Sequence, residues 1–290
     1  MKKSRKLATL GICSALFLGL AACQQQHATS EGTNQRQSSS AKVPWKASYT
    51  NLKNQVSTEE VKSLLSAHLD PNSVDAFFNL VNDYNTIVGS TGLSGDFTSF
   101  THTEYDVEKI SHLWNQKKGD FVGTNCRINS YCLLKNSVTI PKLEKNDQLL
   151  FLDNDAIDKG KVFDSQDKEE FDILFSRVPT EATTDVKVHA EKMETFFSQF
   201  QFNEKARMLS VVLHDNLDGE YLFVGHVGVL VPADDGFLFV EKLTFEEPYQ
   251  AIKFASKEDC YKYLGTKYAD YTGEGLAKPF IMDNDKWVKL

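Results

Sequence analysis

A cysteine, a histidine and a carboxylate, far apart in the chain, are the residues whose settings point to chemistry. Cys126 lies in Gly123-Thr124-Asn125-Cys126-Arg127-Ile128-Asn129-Ser130-Tyr131. Glycine followed by Thr-Asn makes a turn and an N-cap, which puts Cys126 in the first turn of a helix. There the macrodipole and the open backbone N–H groups stabilise a thiolate, the attacking form of the side chain, and the same groups can donate to an oxyanion. The bland alternative is a small buried apolar residue starting a core helix, and Cys132 and Cys260, in helix interiors, fit such a core role.

His226 interrupts the apolar run Tyr221-Leu222-Phe223-Val224-Gly225-His226-Val227-Gly228-Val229-Leu230-Val231. An imidazole buried there without a partner costs on the order of a few kcal/mol, so it is either satisfied by a backbone carbonyl or kept for use as a base. The glycines on either side let another element come close to the ring. With a two-residue turn at Asp235-Gly236, position 226 falls opposite 245 and 230 opposite 241, all on one face. Glu241, the one charge breaking the apolar stretch of its strand, thus shares a face with His226. Contact needs a bulge, a twist or a long reach, and a solvated edge glutamate is the competing interpretation. Asp215 and Asn216, in the preceding turn, are weaker partners. Cys126 as nucleophile, His226 as base and Glu241 as the group holding the imidazole make a cysteine-hydrolase set.

The elements that must position these residues change character along the chain. From Trp45 to about residue 202 the apolar spacing is helical. Ser57-Thr58-Glu59-Glu60 is a capping box, Ser73 can cap a second helix, and further helices are expected over about 104–116, 126–135, 165–176 and 185–200. After Arg207 the period becomes that of strands: 208–214, 220–231, 237–245 and a shorter one at 251–254. A helix capped by Ser256 and short apolar stretches near Ile281 and Val288 close the chain. Helices followed by a meander, without βαβ rhythm, predict an α+β domain with a helical N-terminal half and an antiparallel β-sheet C-terminal half.

The N-terminus carries a different signal. Lys2, Lys3, Arg5 and Lys6 precede an apolar run from Leu7 to Leu20 that is too short, at about fourteen residues, to span a bilayer, and Leu20-Ala21-Ala22-Cys23 follows. This segment resembles the bacterial lipobox, which implies cleavage after residue 22, a diacylglyceryl thioether on Cys23, and anchoring on the outer face of the cytoplasmic membrane. The expected organisation is a signal peptide over 1–22, a disordered Gln- and Ser-rich tether over 23–42, and one domain over 43–290. Loss of four cations with the signal takes the formal charge from −8 to −12. Such an acidic surface argues against nucleic acid as a partner.

With Cys13 removed and Cys23 lipidated, Cys126, Cys132 and Cys260 remain, an odd count that leaves at least one free thiol. Six helical residues separate Cys126 from Cys132 by ~9 Å of rise, beyond the ~7 Å that a disulfide spans. Asp153, Asp155 and Asp158, or Asp215 and Asp218, could hold calcium, although neither run has EF-hand spacing, and solvated turn carboxylates are the alternative. No metal or cofactor is expected: there is no His-Glu-x-x-His, Cys-x-x-Cys pair, Gly-x-Ser-x-Gly or phosphate loop.

Through the Cys126, His226 and Glu241 segments the chain resembles an uncharacterised family of streptococcal-type Gram-positive lipoproteins. A nucleophile opening a helix, followed by a His-Val-Gly strand, is also similar to NlpC-type, papain-like cysteine peptidases and amidases. Cys126 and His226 match that pattern, whereas Asn-Cys-Arg-Ile replaces the usual Asp-Cys-Ser-Gly and a glutamate takes the third polar place. The resemblance implies a papain-like two-lobed domain. It also implies an extracytoplasmic, membrane-anchored amidase, peptidase or acyl-transferase acting on cell-wall peptides or exported proteins. The alternative is a non-catalytic envelope lipoprotein that binds its partner on the same scaffold.

Overall fold

Short polar side chains open every α-helix but one in the computed structural model, which describes residues 45–100 and 103–290. The helices are α1 (Gln55–Ser66), α2 (Pro71–Val88), α3 (Val107–Lys118), α4 (Cys126–Leu134), α5 (Phe151–Gly160), α6 (Ser165–Leu174), α7 (Val186–Phe197) and α8 (Lys257–Lys267). Asn54, not Ser57, caps α1, and Asp70, not Ser73, caps α2, where Pro71 fills the first helical position. In both cases a better-placed oxygen lies three residues upstream of the expected cap. Pro71 also suits a site with no N–H to satisfy. The uncapped helix, α5, was not legible in the sequence, since it continues from a 3₁₀ turn at Gln148–Leu150 with no side-chain signal.

The strands are β1 (Ala47–Thr50), β2 (Thr98–Ser99), β3 (Val138–Thr139), β4 (Val178–Pro179), β5 (Gln201–Phe202), β6 (Arg207–Asp215), β7 (Tyr221–Ala233), β8 (Gly236–Lys242), β9 (Tyr249–Phe254), β10 (Phe280–Asp283) and β11 (Lys286–Val288). Nine form one antiparallel sheet in the order β11-β10-β6-β7-β8-β9-β1-β2, with β4 added alongside β7, and β3 pairs with β5 apart from it. The fold is mixed α+β, as the periodicity predicts, but the halves interleave. Strands β1, β2 and β4 enter the sheet from among the helices, and α8 follows the meander.

Both faces of the sheet are covered. Val227, Val229, Val231, Leu238 and Val240 join the larger core with α2 and α4, whereas Leu209, Leu230, Phe239 and Ile252 pack with Cys260, Tyr263 and Leu264 of α8. Burial on both sides accounts for the near-continuous apolar runs of β7 and β8.

The β7–β8 turn is one residue earlier than expected. Ala233 pairs with Gly236 and Leu230 with Phe239, so Asp234 and Asp235 form the loop. The register therefore moves by two, which preserves the face of every side chain, and extending it sets Glu241 diagonally next to His226. No helix among the described residues is long and apolar enough to cross a membrane. The signal peptide, Cys13, Cys23, the tether and His102 lie outside the described residues.

Candidate functional site

Asn125 caps α4 by accepting the N–H of Ile128 at 3.1 Å, so Cys126 is the first helical residue. Its N–H has no acceptor within the helix, as in the first turn of any α-helix. Two bonds then dock this turn along β7: the Arg127 guanidinium donates to the Val224 carbonyl at 2.9 Å, and Ser130 Oγ to the Val227 carbonyl at 3.2 Å. They bracket His226. A bulge in β7 also falls there, because Val211 pairs with His226 and Val212 with Val224, leaving Gly225 as the extra residue.

The β7–β8 ladder ends at the Val229–Val240 pair, and the polar cluster lies beyond it. His226 Nε2 is 2.6 Å from Glu241 Oε2. Cys126 acts on the imidazole from α4, and with Nε2 taken by Glu241 it is Nδ1 that is left for the thiol. Glu241 Oε1 accepts from the Tyr263 hydroxyl, and Lys267 Nζ stands 3.6 Å from the same oxygen while donating to Tyr263 at 2.8 Å. The Tyr268 ring stacks on His226 with centroids 4.8 Å apart. The sequence-predicted trio is thus brought together, and it is well covered: Cys126 is 4% exposed, His226 1% and Glu241 1%.

Gly228, expected to admit a neighbour to the imidazole, instead clears the sheet. A Cβ there would lie 2.3 Å from Phe239 Cζ and 2.8 Å from the Val240 carbonyl. Asp215 and Asn216 stay at the β6–β7 turn, where His214 finds its carboxylate in Glu220 at 2.7 Å and meets the His189 ring in a tilted contact at 4.4 Å. Neither Asp215 nor Asn216 orients His226.

Burial on its own drives Glu241 toward the neutral acid, yet Lys267, His226 and Tyr263 outweigh it and hold the carboxyl down at about 2. Burial likewise pulls His226 down, but the charge and hydrogen bond of Cys126 and those of Glu241 reverse the sign, so the imidazole is a stronger base than free histidine. The other two thiols behave as core: burial pushes Cys132 up to about 12 and Cys260 well above its ordinary value. All three described cysteines are free.

Linkage fixes a pH prediction. Because folding lowers the Glu241 carboxyl from 4.5 to about 2, its contribution is complete above pH ~4.5 and is lost as the pH falls toward 2, on the order of 3 kcal/mol. His226 has the opposite sign: its contribution is present below ~6.5 and fades as the pH rises through the elevated folded value. Urea melts of Glu241→Gln at pH 5 and 2.5 are expected to show a clearly smaller acid loss than wild type. An equal loss would place the acid sensitivity elsewhere.

Two further groups take roles that their place in the sequence does not reveal. Asp153, fully buried on α5, accepts from Arg127 Nε at 2.9 Å, Arg127 Nη2 at 2.7 Å and Asn125 Nδ2 at 2.7 Å, so it fixes both residues flanking the thiol. Of the other carboxylates in the two acidic runs, Asp155 pairs with Lys159, Asp158 with Lys168 and Asp218 with Arg177. Lys242, adjacent to Glu241 but on the opposite face, is buried, and burial lowers it to about 7 against the opposing pull of Glu246, Glu247 and Cys126. Its only signal in the sequence is a lysine at the end of an apolar strand.

These features define a mixed α+β domain with a buried Cys-His-Glu cluster at the start of a helix. The chain belongs to a family described as a domain of unknown function (DUF4300), which matches residues 48–288. No curated protein and no solved structure matches it.

Proposed function

We propose that the protein is an extracytoplasmic, membrane-anchored lipoprotein and a papain-like cysteine amidase, peptidase or acyl-transferase acting on cell-wall peptides or exported proteins. The supporting observation is the clustering of Cys126, at the start of α4, with His226 and the Glu241 carboxylate that His226 bonds. Cys126 Sγ attacks an amide carbonyl while its proton passes to His226 Nδ1. Glu241 holds the resulting imidazolium through Nε2, and the Cys126 N–H donates to the oxyanion. His226 returns the proton to the departing amine, the C–N bond breaks, and a thioester remains. Water or an acceptor amine, deprotonated by His226, then attacks the thioester and releases the thiol. The two lobes of such a scaffold would be the helical layer around α2 and α4 and the β6–β9 meander.

A second reading has an observation of its own. The near-complete cover over Cys126 and His226, with Tyr268 stacked on the imidazole, favours an envelope lipoprotein that keeps this scaffold for binding without catalysis. Alkylation decides between them. The hydrolase reading expects iodoacetamide to modify Cys126 in the folded protein at neutral pH, with His226→Ala slowing the reaction at least about tenfold. Complete resistance of Cys126 would establish the binding reading.

Anchoring is tested separately. Cys23→Ala is expected to abolish incorporation of labelled fatty acid and release the protein from membranes, whereas Cys13→Ala leaves both unchanged. Undiminished labelling of Cys23→Ala would remove the lipobox assignment.

A further inference from the structure

Residues 269–275, on the way from α8 to β10, are all exposed, whereas Tyr268 before them and Ala277 after them are buried. Both buried ends rest on an imidazole. The Tyr268 ring lies on His226, and the Tyr271 ring backs it with centroids 5.4 Å apart. At the other end the Ala277 N–H donates to His214 Nδ1 at 3.1 Å. That bond fixes the tautomer: Nδ1 accepts, so the ring proton is on Nε2, which donates to Glu220 Oε2 at 2.7 Å.

Between the two ends the backbone bonds close on the segment itself. Tyr271 N–H donates to the Tyr268 carbonyl at 3.1 Å, Thr272 to Asp270 at 2.9 Å and Leu276 to Gly273 at 3.1 Å. Gly275, at φ +76°, turns the chain past the Asn216 side chain. An exposed stretch with self-contained bonds and two buried anchors has the character of a unit that opens locally while the core stays folded. Such an opening is needed here, because Cys126 and His226 are almost wholly out of solvent and a polypeptide reaches them only when a cover lifts.

We propose that Tyr268 and the segment up to Ala277 form a lid on the Cys126–His226 site, latched shut by the bond from the Ala277 N–H to His214 Nδ1; what the lid guards rests on the hydrolase reading above. Releasing the latch lets residues 269–276 swing away, so that Tyr271 no longer backs Tyr268 and the Tyr268 ring can leave the imidazole. His214 is then a positioning residue that acts through Ala277. In the closed lid the Ala277 N–H is buried, so a chain without the Nδ1 acceptor strands this donor, which regains a partner only by opening to water.

Two substitutions at one position separate the latch from packing. His214→Gln keeps a donor near Nε2 for Glu220 and removes the acceptor at Nδ1, whereas His214→Asn keeps an acceptor near Nδ1 and removes the donor. In the full chain, His214→Gln is expected to speed exchange of the Ala277 amide and of the His226 Cε1 hydrogen by about fivefold or more, with His214→Asn within about twofold of wild type. Equal rates in the two variants would overturn the latch, and faster exchange at Ala277 with an unchanged His226 ring would overturn the lid. Tyr268→Ala leaves His214 intact and serves if both His214 variants fail to fold. It is expected to speed exchange at the His226 ring, and an unchanged ring rate would overturn the lid as well. Iodoacetamide mapping of Cys126 in the same proteins separates the two layers. An adduct that rises together with His226 exchange supports a lid over a nucleophile, and faster His226 exchange with resistant Cys126 removes the hydrolase reading while leaving the lid on the imidazole in place.

Discussion

Cys126→Ala, His226→Ala and the double variant are expected to lose turnover to a common floor at least about 10⁴-fold below wild type. Residues that act as one unit are grossly non-additive, because either deletion alone abolishes formation of the thioester. Glu241→Gln is expected to cost less, since it leaves the nucleophile and the base in place and removes only the charge behind the imidazole. Folding should survive these changes. Cys126→Ala removes one sulfur from the rim of the larger core, and after His226→Ala the Glu241 carboxylate still has Tyr263 and Lys267. The His226 variant should still lose on the order of 1–3 kcal/mol, the penalty of stripping one partner from a buried group. Single-turnover assays and thermal melts on the same three proteins check both halves. Turnover retained in Cys126→Ala would exclude the proposed chemistry.

The second large effect is on stability and lies outside the trio. Asp153→Ala is expected to cost roughly 3–5 kcal/mol, because it breaks a largely buried, bidentate ion pair to Arg127. In a domain of this size that corresponds to a fall in melting temperature on the order of 10 °C. The same deletion frees Asn125 Nδ2 and loosens the cap that sets the first turn of α4. Slower alkylation of Cys126 should therefore accompany the lost stability, whereas Asp155→Ala, on the same helix but paired only with the half-exposed Lys159, should change the melt by less than about 1 kcal/mol. A melt of Asp153→Ala indistinguishable from that of Asp155→Ala would show that this buried pair does not hold the helix start.

The parts of the site visible in the sequence were those encoded locally. Thr124-Asn125 sets the cap, so the place of Cys126 at a helix start follows from three adjacent residues. Strand parity puts His226 and Glu241 on one face, and parity survives the two-residue difference in register because side chains alternate with a period of two. The bulge at Gly225 was not encoded in that way, since it depends on how β6 meets β7. Asp153, Tyr263 and Lys267 come from 22 or more residues away and from helices whose amphipathic pattern gives no reason for their polar atoms to converge. Lys242 is hidden for another reason: its partners are backbone carbonyls, which leave no mark on residue identity. The Tyr268 ring that covers His226 comes from the end of α8, a tertiary contact without periodicity.

If Cys126 is a nucleophile held ready by His226 and Glu241, peptide-level mass spectrometry of the folded protein after brief iodoacetamide treatment at pH 7 will show it. The expected result is an adduct on Cys126, with Cys132 and Cys260 unmodified until denaturant is added, and a clear drop in that adduct in His226→Ala. Equal modification of the three thiols in the folded state, or none at Cys126, would contradict it.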